Sequence, residues 1–295
     1  MKTTKQAYIE IGKKHKIVKE KSKEYIKEGA NLLEITKKIE QDIKDFDVLE
    51  SFPVELQLNN IVHYAVEAND KTILTKDDVI KIDFGLASKE GYLSDAAYTI
   101  YFDEKYKQMT DLCKDALESV LKYIKPNISL SKIGSFLKNY FSNKPYKLIK
   151  NLEGHQLDIW KLHAGKTIPS YNNLDLREMK AGEAYAVELF VTDGDGYITS
   201  SNNGNIFSVI EKSLFNIRDF NARKILKNIY QERKTLPFSK RYLLEKSKSS
   251  LTAKKIIDSK CLHLYPFLKE RKEAKIVQFE ETIFVDEDKI IITTK

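Results

Sequence analysis

An amphipathic helix pair followed by strands occurs twice along this chain, at a constant offset of 98 residues. Tyr8, Ile11, His15, Val18 and Tyr25 recur at spacings of three, four or seven, which predicts one apolar helix face over residues 7 to 28. Gly29 breaks that helix, and Asn31 is placed to cap a second one carrying Leu32, Ile35, Ile39, Ile43 and Phe46 on one side. Strand-like segments follow at Ser51 to Ile61, Asp78 to Phe84 and Tyr92 to Phe102. The order then restarts with Leu112, Ala116, Val120 and Ile124, a break at Pro126-Asn127, and Leu130, Ile133 and Leu137. Laid over the first pair, Ile26 meets Ile124, Lys27 meets Lys125, Leu32 meets Leu130, Ile35 meets Ile133 and Ile39 meets Leu137. Two unrelated amphipathic helix pairs would share the period by chance. The common break and the common order of elements favour an internal duplication, and hence a mixed α/β domain built of two similar halves.

The second unit continues through strands at Lys147 to Ile159, Ile168 and Ala184 to Thr192, after which the regularity stops. Residues 206 to 270 read as helical, with Ile206, Val209, Ile210, Leu214 and Ile217, then Ile225, Ile229 and Tyr230, then a break at Leu236-Pro237. This stretch is basic: residues 212 to 275 hold 18 Lys and Arg against 6 acids, in a chain with a net charge of +7. Outside it the chain is mildly acidic, so the excess charge is local. Alternation resumes from Ile276 to Val285, with a hairpin-like turn at Asp286-Glu287-Asp288. The expected organisation is therefore a main domain of residues 1–205 plus 271–295, carrying residues 206–270 as a basic helical insertion. A basic segment without an RNA-binding signature reads first as a set of solvated helix faces. Cys113 and Cys261 stand far apart and in no metal-type spacing, which points to a reducing compartment and a cytoplasmic location. No apolar run long enough for a spanning helix or secretory leader occurs, so no membrane partner is expected.

Chemistry is suggested by scarce histidines and misplaced acids. Two of the five histidines, His155 and His163, lie eight apart, a spacing that a strand and turn can fold back to one place. Asp83, Asp95, Glu188 and Glu280 sit among Ile, Val, Phe and Ala in strand contexts, where a carboxylate is costly to bury unless it is paired or bound to a cation. Such a donor set suits Mn, Fe(II), Co or Zn. Spacing alone does not join positions spread over nearly the whole chain into one site.

In order, His63-Tyr64, Ile82-Asp83-Phe84-Gly85, Ser94-Asp95-Ala96-Ala97, Gly154-His155, Leu162-His163-Ala164-Gly165, Val187-Glu188-Leu189-Phe190 and Gln278-Phe279-Glu280-Glu281-Thr282 resemble the methionine aminopeptidases. The resemblance is to the type II class of archaea and the eukaryotic cytosol, and Thr235-Leu236-Pro237-Phe238-Ser239-Lys240-Arg241 resembles its insertion. It implies the pita-bread α/β (α+β) fold with pseudo-twofold duplicated helix-helix-strand units and a helical type II insertion. It further implies a metal-dependent aminopeptidase that removes the initiator methionine from nascent polypeptide N-termini. Asp83, Asp95, His155, Glu188 and Glu280 become ligands of two divalent metal ions, Co, Mn, Fe(II) or Zn, with Asp95 and Glu280 bridging. Glu188 also shuttles a proton, His163 and His63 act as catalytic and substrate-binding residues, and Phe52 forms part of the methionine pocket. A monomer is expected, and contact of the basic insertion with the ribosome is a further expectation. The chain departs from the family pattern where a single Val62 precedes His63, where Ala65-Val66 follows Tyr64, and where Leu189 and Glu281 follow two ligands. Two other readings compete: a catalytically inactive pita-bread paralogue binding RNA or protein, and a proline-specific peptidase of the same superfamily. Asp83-Phe84-Gly85 lacks the other kinase motifs, Asp193-Gly194-Asp195-Gly196 reads as a turn, and Asn127-Ile128-Ser129 is expected to supply a helix cap.

Overall fold

A computed structural model describes residues 3–214, 216–270 and 273–295; the expected domain boundary at residue 271 lies outside them. Seven helices occur among these residues: α1 Thr4–Ser22, α2 Leu32–Asp45, α3 Lys107–Tyr123, α4 Leu130–Phe141, α5 Phe220–Arg233, α6 Lys240–Ser247 and α7 Ser250–Asp258. The strands are β1 Leu49–Leu58, β2 Ile61–Val62, β3 Val79–Ala87, β4 Leu93–Tyr101, β5 Lys147–Leu148, β6 Gly154–Leu157, β7 Thr167–Ile168, β8 Ala184–Thr192, β9 Ile198–Ser200, β10 Ile206–Val209, β11 Phe238–Ser239, β12 Leu262–Tyr265, β13 Leu268–Glu270, β14 Ile276–Val285 and β15 Ile290–Ile292.

The duplication is visible in the helix starts. Helix α2 begins at Leu32 and α4 at Leu130, at the offset read from the sequence. The Asn31 side chain accepts from the Glu34 amide at 3.2 Å, so the first of these helices is capped as expected. Ser129 holds the equivalent extended N-cap position, but its hydroxyl makes no cap bond. The Leu130 and Ser131 amides instead donate at 2.9 Å to the Arg177 and Asp175 carbonyls, so a neighbouring loop satisfies this helix end.

A nine-stranded antiparallel sheet runs β1-β3-β4-β14-β8-β6-β7, with β15 on β14 and β5 on β8. The halves meet at β4 and β14. Helices α1 and α2 bury Ile11, Val18, Leu32, Ile35, Ile39 and Ile43 against the first half of the sheet. Helices α3 and α4 bury Cys113, Ala116, Val120, Leu130, Ile133 and Leu137 against the second. Burial on this scale, roughly 1.5–3 kcal/mol for each Ile, Val or Leu, holds the sheet rigid beneath the site.

The segment after β9 differs in part from its helical reading. Ile206–Val209 is a strand, paired antiparallel with both β11 and β12. A short run of branched apolar residues has the same spacing in a buried strand as in one helical turn, and here pairing with Phe238 and Leu264 decides. Helices α5 to α7 pack on this small sheet around their own core of Leu226, Ile229, Leu243, Ala253 and Ile256. Arg241 ties the segment to the main sheet's helices through its buried ion pair with Glu40 and a 3.3 Å bond to the Val66 carbonyl. Among the described residues no helix is long and apolar enough to cross a membrane.

Candidate metal centre

The five proposed metal donors lie on neighbouring strands of the sheet's centre. Strand register pairs Asp83 with Ala97, Ala97 with Glu280 and Glu280 with Glu188. Side chains of directly paired residues share a face, as do residues two apart on one strand. Asp95, two residues from Ala97, therefore shares the face of Asp83, Glu188 and Glu280. His155 pairs with Ala186, two residues from Glu188, and joins them. No pairwise spacing in the sequence carries this row, because three of its links cross between distant segments.

The row lines a cavity with about 70 Å³ of space open to water. Donor atoms of Asp95, His155 and Glu280 all lie within 4.8 Å of one another, and His155 Nε2 is 3.5 Å from Asp95 Oδ2. The Gln278 amide binds the remaining acids to this group, donating to Asp83 Oδ2 at 2.9 Å and to Glu188 Oε2 and Glu280 Oε2 at 3.4 Å. His163 reaches the same cavity, its ring centroid 4.4 Å from that of His155, so the spacing of eight does return both imidazoles to one place. His63, held at a positive φ of 59°, and Phe52 complete the set expected from the sequence. Gly85 lets Phe52 sit there: a Cβ at residue 85 would lie 2.6 Å from the Phe52 ring and 2.0 Å from Ser51 Oγ.

Several lining residues escaped the sequence reading. Glu55 pairs in register with Asp83 and extends the acidic row by one strand. Ile206, Pro237 and Tyr265 form an apolar wall from the segment between β9 and β13, with Ile206 paired directly to Tyr265. Only Pro237, within the quoted insertion motif, carried a signal.

Burial raises the carboxyl of Asp83 to about 7, and drives those of Asp95, Glu188, Glu280 and Glu55 well above their usual range, with mutual repulsion adding to it. Burial lowers His155 to about 3 and His63 to about 4, and it also lowers His163, so all three imidazoles are neutral at pH 7. Buried acids that repel each other, beside neutral imidazoles, form a set that a divalent cation satisfies. Four atoms test the fit: Asp83 Oδ1, Asp95 Oδ1, Glu280 Oε1 and His155 Nδ1 are buried with no hydrogen-bond partner among the described residues. Three of them are carboxylate oxygens whose lone pairs meet no donor among the described residues, as metal-ligating oxygens require.

The sequence profile of metallopeptidase family M24 matches residues 6–287. The chain belongs to that family. Within it, this metallopeptidase is 34% identical over 288 residues to a methionine aminopeptidase of Methanocaldococcus jannaschii, with 97% of each chain covered. It is 32% identical to one of Pyrococcus horikoshii, covering 97% of this chain and 98% of that one. It is thus a member of the methionine aminopeptidases of the archaeal type, as its motifs imply. Among solved structures the M24 chain superposes on a thermophilic Arx1 with a TM-score of 0.80 at 15% identity, covering 97% of this chain and 89% of that one. A methionine aminopeptidase of Thermotoga maritima gives 0.71 at 18% identity, covering 100% and 98%. These likenesses establish the pita-bread fold.

Proposed function

We propose that this metallopeptidase removes methionine from the amino terminus of polypeptides, using two divalent ions held by Asp83, Asp95, His155, Glu188 and Glu280. The observation that carries the reading is the cross-strand row itself, in which every expected donor lines one cavity and four of its donor atoms lack partners among the described residues. Held by these five residues, two ions would supply a nucleophilic water at neutral pH and polarisation of the scissile carbonyl. The chain's own residues do the rest. Glu188, at the edge of the acidic row, accepts the proton of the attacking water and passes it to the departing amine. His163 and His63, which both line the cavity, are neutral and donate hydrogen bonds to the substrate carbonyl and the developing oxyanion. Phe52, Ile206, Pro237 and Tyr265 offer the apolar surface on which a methionine side chain packs.

Initiator methionine of nascent chains as the substrate, a cytoplasmic site of action, a monomeric enzyme and ribosome contact through the basic insertion of residues 206–270 belong to the same proposal. A binding-only paralogue gains no support from relatives that bear the peptidase name. Purified protein loaded with Mn, Co, Fe(II) or Zn is expected to release Met from Met-Ala-Ser, with two metal equivalents bound. Absence of release with every metal would overturn the reading. Ribosome co-sedimentation at low salt, compared before and after neutralising Lys224, Lys227 and Lys234, tests the contact.

A further inference from the structure

The apolar wall of the cavity comes from two parts of the chain. Phe52 belongs to β1 of the main sheet, whereas Ile206, Pro237 and Tyr265 belong to the segment between β9 and β13. The width of a pocket assembled in this way depends on whatever joins the parts, because close-packed walls keep their spacing only while their supports keep theirs. Two buried polar side chains make that join.

Asn205, 1% exposed, lies beside Ile206; its Nδ2 donates to the Ala65 carbonyl at 2.5 Å and its Oδ1 accepts from the Ala65 amide at 3.2 Å. Arg233, the last residue of α5 and 3% exposed, makes the second join. Its Nη2 donates to the Glu50 carbonyl at 2.8 Å and to the Pro237 carbonyl at 2.9 Å. One nitrogen thus links β1, two residues before Phe52, to the wall residue Pro237 itself, and the two carbonyls can be no farther apart than those two bonds together. The guanidinium sits over the Tyr242 ring at 5.1 Å, and its Nε has no partner among the described residues. Arg241, also buried, pairs with the Glu40 carboxylate, whereas Arg233 donates to main-chain carbonyls on either side of a seam. A cation kept from water is costly unless strong hydrogen bonds offset it, and bonds from a charged donor are the strong ones. The arrangement fixes a distance between two pieces of backbone, both next to the residues a substrate side chain would touch.

Resting on the aminopeptidase reading, we propose that Arg233 is a positioning residue that sets the width of the cavity's apolar wall, and with it the preference for methionine over a bulkier first side chain. The test uses the Mn-loaded full-length protein and compares kcat/KM for Met-Ala-Ser and Phe-Ala-Ser. Arg233→Met keeps an unbranched side chain and removes the donors. It is expected to lower the Met-over-Phe preference about tenfold, the scale on which a fitted apolar pocket discriminates one methylene. The change should lie in KM for Met-Ala-Ser, with kcat within about threefold of wild type. Arg233→Lys, whose ammonium can still bridge the two carbonyls, should keep the preference within about threefold. Arg241→Ala removes a tether of the same segment that touches neither Glu50 nor Pro237, and should leave the preference as in wild type when assayed below its melting temperature. An unchanged preference in folded Arg233→Met overturns the assignment, and so does Arg233→Lys no better than Arg233→Met. An equal fall in Arg241→Ala also overturns it, by reducing the effect to general loosening of the segment. If Arg233→Met does not fold, Arg233→Gln, too short to span both carbonyls, carries the same comparison. Wild type that releases the first residue from neither peptide removes the aminopeptidase reading itself, an outcome distinct from failure of Arg233 alone.

Discussion

Replacing Gln278 with leucine isolates what one amide contributes to the metal centre. Gln278 is fully buried on β14, and its Nε2 contacts three carboxylates, Asp83 at 2.9 Å and Glu188 and Glu280 at 3.4 Å. Only the first has full hydrogen-bond length, and a bond to a charged acceptor is worth about 1.5–3 kcal/mol. The two longer contacts add less, so about 2 kcal/mol of orientation is lost, or roughly thirtyfold in affinity. That agrees with the 10- to 100-fold range typical of residues that orient metal ligands. Leucine is of similar size, and it also removes Gln278 Oε1, a buried acceptor without a partner among the described residues, so the fold should survive. Calorimetric titration of apo Gln278→Leu with Mn should show a Kd about thirtyfold weaker. Turnover against Mn concentration should shift by the same factor, with a smaller change at saturation. A Kd within threefold of wild type would refute the claim that this amide organises the donor set.

Three further outcomes follow from the structure. Gly85→Ala places a Cβ 2.6 Å from both the Phe52 ring and the Ser94 carbonyl, and should cost about 1–3 kcal/mol in a thermal melt while raising KM for methionine peptides. Arg241→Ala leaves Glu40 buried without its partner, and should lose about 3–5 kcal/mol in denaturant unfolding; a loss below 1 kcal/mol would show that the pair does not anchor the basic segment. Burial and the nearby Glu40 raise Glu50 to about 7, so between about pH 4.5 and 7 the folded protein keeps a proton that the unfolded chain releases. Stability attributable to this group therefore falls as pH rises through that window, and Glu50→Gln should gain about 1–3 kcal/mol at pH 8 and nothing at pH 4.5, read by melts at both.

What the sequence reveals and what it conceals divide along local and non-local physics. The helices starting at Leu32 and Leu130 are legible because amphipathic period, cap and break are written within a dozen residues. Ile206–Val209 is not legible, because its partners Phe238 and Leu264 decide between strand and helix from far along the chain. The five proposed metal donors were reached through family motifs; their common face arises from pairings such as Glu280 with Ala97, which no local pattern encodes. Glu55 is the sharpest case. Val54-Glu55-Leu56-Gln57-Leu58 alternates as a strand with one wet face should, and the polar residues would be assigned to solvent. In the folded chain that face closes on the cavity and both side chains are buried.

The sheet order also explains how a duplicated scaffold comes to hold an asymmetric site. Read outward from the seam, β4, β3 and β1 on one side answer to β14, β8 and β6 on the other. Asp95 on β4 faces its counterpart Glu280 on β14, and Asp83 on β3 has Glu188 on β8, so the inner four strands supply carboxylates in matched pairs. The outer strands break the match: β6 brings His155 and β1 brings Glu55. A neutral imidazole at one end and a buried carboxyl at the other make the two ends of the row chemically different.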